Sequence, residues 1–164
     1  MHDKTLILLR HAQSDWSGRE SDIDRPLNDR GRRQAPLVGK WLAYHVGGID
    51  LVVVSPATRA RSTWSLAAEE FTVAPTSVND DRVYAASSRQ LLSVVDELPS
   101  TAQTVVLVGH NPGIEGLVTV ATGESVHMNT SALAVIRFEG PWSTVGDADA
   151  ALTVFGRPPR DFPH

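Results

Sequence analysis

The stretch Leu6-Ile7-Leu8-Leu9-Arg10-His11 leads from an apolar run directly into two polar side chains. The run is continuous rather than alternating, which is typical of a strand buried on both faces of a parallel sheet. Two further runs of this kind, residues 51–54 and 104–108, lead into Ser55 and into Gly109-His110. Because the carboxyl ends of parallel strands meet at one edge of a sheet, we expect the two histidines and the serine to lie close together.

Stretches of helical composition alternate with these strands. We predict helices over residues 29–44, 57–71, 87–98 and 112–121. A weak strand within residues 73–83 and two late strands over 132–138 and 151–155 are also expected. This order predicts an α/β fold, a single three-layer α/β/α domain with a mostly parallel central sheet and helices on both faces. The domain is expected to span residues 1–164, with an extended, proline-rich tail at 156–164.

The composition restricts the classes of function. The chain has 164 residues and a formal net charge of -4, which argues against nucleic-acid or membrane-surface binding. It has no cysteine, so disulfides and thiolate nucleophiles are excluded. No apolar run approaches the ~20 residues that span a bilayer, and no signal-peptide core is present. We therefore expect a cytoplasmic protein.

Two arginines and two histidines near the strand ends form a candidate anion site. Arg10 and Arg59 offer planar sets of N–H donors that match phosphate oxygens. A neutral His11 can attack phosphorus if one ring nitrogen is free and the other donates to a backbone carbonyl. A protonated His110 would neutralise charge on the phosphoryl oxygens. Such a site transfers phosphoryl groups by positioning and electrostatics, so we expect no metal and no cofactor.

Other interpretations of these residues remain open. Each residue alone is more often structural: a hydrogen-bonded histidine, or an arginine paired with a loop aspartate. Together, without carboxylates between them, they favour an anion site. A zinc site formed by His11, His110 and His127 is the other chemical option. The guanidinium of Arg10 beside His11 disfavours it, because a dication would repel that group.

Three motifs carry a resemblance to a known family. The first is Leu9-Arg10-His11-Ala12-Gln13-Ser14, the second is residues 55–63, and the third is Gly109-His110-Asn111-Pro112-Gly113. They resemble the signatures of the histidine phosphatase superfamily, with Ala12 where glycine is usual. The stretch at residues 24–31 and the Arg-His-Ala form make the chain most similar to the SixA-like phosphohistidine phosphatases. The likeness extends in order and spacing over nearly the whole chain.

The resemblance implies a role for each matching residue. It implies that His11 accepts the phosphoryl group and that Arg10, Arg59 and His110 form the phosphate pocket. Arg61 is expected on the helix surface instead. Small polar residues near these positions are expected to add substrate-binding donors: Ser17, Thr130 and Ser131.

One departure from the family bears on the substrate. Many members carry an acid that protonates the leaving oxygen, and the pattern puts Ala85 at that position. General acid catalysis is typically worth about 10²–10⁴-fold, so its loss disfavours poor leaving groups. We therefore expect a phosphorylated protein partner carrying phosphohistidine. The alternatives are a phosphatase of small phosphomonoesters, less readily a mutase, and a phospho-ligand-binding module without turnover.

Overall fold

A six-stranded sheet forms the centre of the molecule in the computed structural model, which describes residues 3–147 and 149–161. Its central strands consist of the continuous apolar runs, which bury side chains on both faces. In chain order the strands are β1 Asp3–Arg10, β2 Leu51–Val54, β3 Ser77–Asn79, β4 Thr104–Gly109, β5 Leu133–Glu139 and β6 Ala151–Gly156.

The strand order across the sheet is β3-β2-β4-β1-β5-β6. The first four strands of the chain pair in parallel, whereas β5 runs antiparallel to both β1 and β6. In the pairing of β1 with β4, Arg10 lies opposite Gly109. The residues that follow these strands, His11 and His110, therefore leave the sheet from adjacent positions.

Four α-helices cover the two faces of the sheet: α1 Asp29–His45, α2 Thr58–Ala68, α3 Ser88–Asp96 and α4 Gly113–Thr122. The side chain of Asn28 caps α1 by accepting a hydrogen bond from the backbone N–H of Gly31 at 2.8 Å. Ser87 and Gln90 form a capping box at the start of α3. Gly123 ends α4 with a φ of 78°, a conformation that glycine adopts without strain.

Successive residues of β1 belong to opposite hydrophobic cores. Leu6 and Leu8 pack into the core shared with α3 and α4, whereas Ile7 and Leu9 pack into the core shared with α1 and α2. These four side chains are fully buried, and each such burial contributes about 1.5–3 kcal/mol. The predicted three-layer α/β/α fold with a mostly parallel sheet is thus confirmed.

Some segments differ from the sequence-based expectations. The helix predicted over 57–71 ends at Ala68, and the weak strand is only Ser77–Asn79. The tail that was expected to be extended instead turns, because the backbone N–H of Asp161 donates to the carbonyl oxygen of Arg157 at 2.9 Å. Residues 162–164 of that tail lie outside the described residues. None of the helices in the described ranges has the length and apolar character needed to cross a membrane.

Candidate active site

A cleft of about 360 Å³ opens where β1, β2 and β4 end. The centroids of the His11 and His110 rings lie 5.0 Å apart there, as the sequence predicts for two strand ends that meet. The residues that line the cleft are Arg10, His11, Gln13, Ser14, Trp16, Asp22, Arg25, Arg59, His110, Asn111 and Thr130. All four residues expected to form the phosphate site are therefore in one place.

His11 has one ring nitrogen occupied and one free. Its Nδ1 donates a hydrogen bond to the carbonyl oxygen of Ala12 at 2.7 Å. A carbonyl oxygen only accepts, so this bond holds the proton on Nδ1 and leaves the lone pair on Nε2. Burial is the main cause that lowers the pKa of His11 to about 3, and the charge of Arg59 adds to the effect. The ring is therefore neutral at neutral pH.

His110 is held by the serine at the end of β2. The hydroxyl of Ser55 and Nε2 of His110 share a hydrogen bond of 2.7 Å, and the same hydroxyl accepts the backbone N–H of Ala57 at 3.2 Å. The buried Nδ1 of His110 has no hydrogen-bond partner in the described part of the chain. Burial, followed by the charge of Arg59, lowers the pKa of His110 to about 4. The protonated form considered from the sequence is thus not the resting form at neutral pH.

Three guanidinium groups surround the histidines. Nη1 of Arg10 donates to the carbonyl oxygen of Met128 at 2.9 Å, and Nη1 of Arg25 donates to the hydroxyl of Ser14. Arg59 lies in the first turn of α2 and is 6% exposed. The Nε atoms of all three arginines are buried and have no hydrogen-bond partner within residues 3–147 and 149–161. Buried donors without partners are rare in folded proteins, and here they converge on a site suited to an anion.

Asp22 is the one carboxylate among the described residues that line the cleft. Its Oδ2 accepts hydrogen bonds from Nη2 of Arg59 at 3.0 Å and from the hydroxyl of Tyr84 at 2.5 Å. Its Oδ1 accepts from Nη2 of Arg25 at 3.3 Å. The hydrogen bond from Tyr84, with those from Arg59 and Arg25, lowers the pKa of Asp22 to about 2. The carboxylate is therefore ionised at neutral pH, and it already forms an ion pair with Arg59 of the predicted phosphate site.

The remaining predicted residues fall in different places. Thr130 lines the cleft. Ser17 does not: its hydroxyl donates to Oδ1 of Asp15 at 2.6 Å on the exposed surface, so its substrate contact stays a prediction. The hydroxyl of Ser131 is buried without a partner among the described residues and belongs to the wall of a neighbouring cavity. Arg61 lies exposed on α2, as expected.

The zinc alternative finds no support in the arrangement of donors. Nδ1 of His127 lies 3.1 Å from a carboxylate oxygen of Glu115, and the His127 side chain is largely exposed. It does not line the cleft that holds His11 and His110. In the residues that the structure describes, no three histidine, aspartate or glutamate side chains are grouped to hold a metal ion.

Several cleft residues were missed by the sequence reasoning. Asp22 and Arg25 lie in a polar loop whose path the sequence did not define, although Arg25 belongs to one of the family-like stretches. Arg25 stacks on the ring of Trp16 at 3.5 Å from guanidinium carbon to ring centroid, and 78% of Trp16 is exposed. Trp16 thus faces the site rather than the core. Nδ2 of Asn111 donates to the carbonyl oxygen of Met128 at 2.9 Å.

The segment around Ala85 contributes no acid to the cleft. The side chain of Asp80 accepts the backbone N–H of Arg82 at 2.9 Å and pairs with its guanidinium at 2.8 Å, so it caps the local turn. Ala85 itself has a φ of 53°. Its neighbour Tyr84 reaches the cleft only through its bond to Asp22 and an edge contact with the His110 ring, 5.7 Å between centroids.

Comparisons with known proteins agree with this geometry. The family model of the histidine phosphatase superfamily (branch 1) matches residues 6–82. An uncharacterised protein of Mycobacterium tuberculosis is 33% identical over 161 residues, which cover 92% of this chain and 99% of that protein.

Two solved structures are similar over nearly their whole length. Both are SixA proteins described as candidate phosphohistidine phosphatases. The one from Agrobacterium tumefaciens is 31% identical, with a TM-score of 0.81 and coverage of 94% of this chain and 98% of its own. The one from Nakamurella multipartita is 29% identical, with a TM-score of 0.83 and coverage of 97% and 98%.

The fold and the cleft define an enzyme of phosphoryl transfer. The chain belongs to the histidine phosphatase superfamily, as the resemblance in its motifs implied. It is accordingly a phosphatase, and the binding module without turnover is not favoured.

Proposed function

We propose that this phosphatase is independent of metal ions, forms a covalent phosphohistidine on His11, and acts on phosphohistidine in a protein. The support for His11 is its geometry: a neutral ring, a proton held on Nδ1 by the carbonyl of Ala12, and a free Nε2. The support for metal independence is the presence of Arg10, Arg25 and Arg59 around that nitrogen, because guanidinium groups can neutralise phosphoryl oxygens as a metal ion does.

The reaction takes two steps with balanced protons. First, the Nε2 lone pair of His11 attacks phosphorus, and the P–N bond to the substrate imidazole breaks with its electron pair returning to that nitrogen. The leaving imidazole departs neutral when its distal nitrogen already carries a proton. Second, water attacks the phosphorus on His11, the P–N bond to Nε2 breaks, and both protons of the water remain on the released phosphate.

His110 and the arginines stabilise both steps. We infer that the hydroxyl of Ser55 donates to Nε2 of His110, which places the ring proton on Nδ1 and makes that N–H available to a phosphoryl oxygen. Arg10 and Arg59 supply charge and planar sets of donors to the other oxygens. Phosphoryl transfer gains most of its acceleration from such positioning and electrostatics.

The observation that carries the substrate assignment is the state of Asp22. It is the only carboxylate that lines the cleft in residues 3–147 and 149–161, and its pKa of about 2 leaves it ionised and unable to donate a proton at neutral pH. An alkoxide leaving group would then depart without an acid. A phosphohistidine needs no acid from the enzyme, and the Asp22 charge favours the protonated distal nitrogen of its imidazole.

A substrate panel tests this proposal. Turnover of a phosphohistidine peptide, an aryl phosphate, a phosphoserine peptide and an alkyl sugar phosphate is measured with and without EDTA. We expect kcat/KM for phosphohistidine to exceed that for the alkyl esters by at least about 10²-fold, the lower end of what general acid catalysis contributes. EDTA should change nothing. Comparable turnover of alkyl phosphates would favour the small-phosphomonoester alternative, and loss of activity with EDTA would contradict the metal-free mechanism.

A further inference from the structure

A second cavity, of about 170 Å³, adjoins the catalytic cleft. We call it the arginine pocket, after Arg30 on α1 and Arg157 and Arg160 in the turn after β6, which line it together with Gln34 and Ser131. Nothing in the proposed mechanism uses these residues. The cavity combines three guanidinium groups from two distant parts of the chain.

The described residues provide no ion-pair partner for the three arginines of the pocket, although the charge of Asp161 acts on Arg157. Within residues 3–147 and 149–161, no carboxylate forms a salt bridge with Arg30, Arg157 or Arg160. The nearest acidic partner is Asp161, whose Oδ2 accepts the backbone N–H of Arg157 at 2.9 Å. Burial and then the charge of Arg30 lower the pKa of Arg157, as expected for cations gathered together. On a chain of net charge -4, this local positive field indicates an anion site.

The wall of the pocket also holds a polar group that has no partner among the described residues. Ser131 is 2% exposed, and its hydroxyl makes no hydrogen bond to any described residue. Its backbone is held in the left-handed region, with a φ of 66°, by hydrogen bonds from its N–H to the carbonyl oxygens of Arg10 and His11 at 3.0 Å. A buried donor of this kind next to three guanidiniums is the lining that a carboxylate or phosphate requires.

The arginine pocket and the catalytic cleft are lined by adjacent residues of the chain. Thr130 lines the cleft, and Ser131, its neighbour, lines the pocket. Nε of Arg157 donates to the carbonyl oxygen of Thr130 at 2.7 Å, and its Nη2 contacts the Thr130 hydroxyl at 3.1 Å. Burial is the main cause that lowers the pKa of Arg10 in the cleft, and the charge of Arg157 adds to it. A substrate that extends from the cleft past Thr130 would therefore meet the arginine pocket.

We propose that the arginine pocket binds a second anionic group of the substrate, a carboxylate or a phosphate, while the phosphoryl group to be transferred lies in the cleft. The inference rests on the proposed function only in placing that phosphoryl group beside His11. In a protein substrate the second anion is an acidic side chain near the phosphohistidine. In a small substrate it is a further carboxylate or phosphate of the same molecule.

The test compares substrates that differ only in the second anion. One pair consists of phosphohistidine peptides with and without acidic residues beside the phosphohistidine, and the other of carboxyphenyl phosphates and phenyl phosphate. The variant Arg30→Gln/Arg160→Gln removes two charges from the pocket and leaves Arg157 to hold Thr130. The control Arg33→Gln/Arg137→Gln removes the same charge from exposed positions that do not line the pocket.

The wild-type enzyme is expected to prefer the substrate with the second anion by about tenfold in kcat/KM in at least one pair, as one charged hydrogen bond provides. Arg30→Gln/Arg160→Gln should remove this preference by raising KM for the substrate with the second anion, and should leave kcat/KM for phenyl phosphate unchanged. The control variant should keep the preference. The proposal would be overturned if the wild-type enzyme showed no preference in either pair. It would also be overturned if Arg30→Gln/Arg160→Gln kept the preference, or lost kcat/KM equally on phenyl phosphate. If only the carboxyphenyl and phenyl phosphates are turned over and the preference is seen there, the proposed role of the arginine pocket is supported and the phosphohistidine assignment is contradicted.

Discussion

The guanidinium of Arg59 and the carboxylate of Asp22 form an ion pair of 3.0 Å inside the cleft, with the arginine side chain almost fully buried and the aspartate side chain about half exposed. The pair joins a residue that the phosphatase motif predicts to one that the motif does not mention. An incoming phosphoryl group therefore meets both a donor and a like charge. The balance between the two decides which substrates the cleft accepts.

Neutralising the carboxylate of Asp22 should reduce the selectivity for phosphohistidine over aryl phosphate. In Asp22→Asn the guanidinium of Arg59 keeps a neutral partner and the repulsion of the phosphoryl oxygens disappears. We expect KM for an aryl phosphate to fall severalfold and the preference for phosphohistidine over aryl phosphate to shrink. Steady-state kinetics on both substrates measures this. Asp24→Asn is the matched control, because Asp24 is exposed and does not line the cleft; an Asp22→Asn variant with the wild-type substrate ratio would contradict this role.

Removing a cleft arginine should cost most of the catalytic rate. Arg59→Ala leaves phosphoryl charge uncompensated in a largely buried site, and we expect kcat to fall by about 10²–10³-fold, as for loss of one oxyanion donor. Arg61→Ala, two residues further along α2, is expected to stay within about twofold because an exposed side chain contributes little. Equal effects of the two substitutions on kcat would argue that Arg59 acts only through the fold.

Anion binding should become stronger as the pH falls. Burial and the charge of Arg59 lower the pKa of His110 to about 4 in the free site, and a bound dianion favours the protonated ring and raises that pKa. The anion complex then binds more protons than the free enzyme. The affinity for the anion therefore rises as the pH decreases through the pKa that His110 has in the complex.

Sulfate keeps both charges over this range and serves as the probe. Calorimetric titration should show tighter sulfate binding at about pH 5 than at about pH 7, and His110→Asn should lose most of this dependence. Sulfate affinity in the wild-type enzyme that is independent of pH, or a pH dependence that His110→Asn retains in full, would rule out proton uptake by His110.

The contact between α1 and α2 predicts a stability change far from the cleft. A Cβ at Gly39 would overlap the backbone carbonyl of Ala67. Such overpacking costs about 1–3 kcal/mol, whereas replacing a helical glycine by alanine gains only about 1 kcal/mol. Gly39→Ala should therefore lower the free energy of unfolding by up to about 2 kcal/mol. Gly48→Ala, whose Cβ would have no described heavy atom within 4 Å, is the control in urea denaturation.

The sequence predicted the site residues that follow the ends of the strands. Continuous apolar runs define buried parallel strands, and the residues after β1, β2 and β4 meet because parallel strands end at one edge. It did not predict Asp22 or Arg25, because their positions depend on the path of a long polar loop. Ser17, in the same loop, does not line the cleft, and its hydroxyl bonds to Asp15 instead.

The conformation of the tail after β6 was also not predicted from its local sequence. Its prolines favour an extended segment, but the side chain and backbone of Asp161 both bond to Arg157 and turn the chain back. This turn positions the arginines of the second pocket. Side chain to backbone contacts between loop residues leave no periodic pattern in a sequence, which is why that pocket was not foreseen.

The central claim is that His11 carries the phosphoryl group between the two chemical steps, and rapid quenching during turnover tests it most directly. The reaction with a labelled phosphohistidine peptide is stopped in alkali, where a phosphoramidate survives, and the modified residue is located by mass spectrometry. We predict label on His11 and none in His11→Ala, which should also lose turnover. Label on Ser14, or full turnover by His11→Ala, would contradict it.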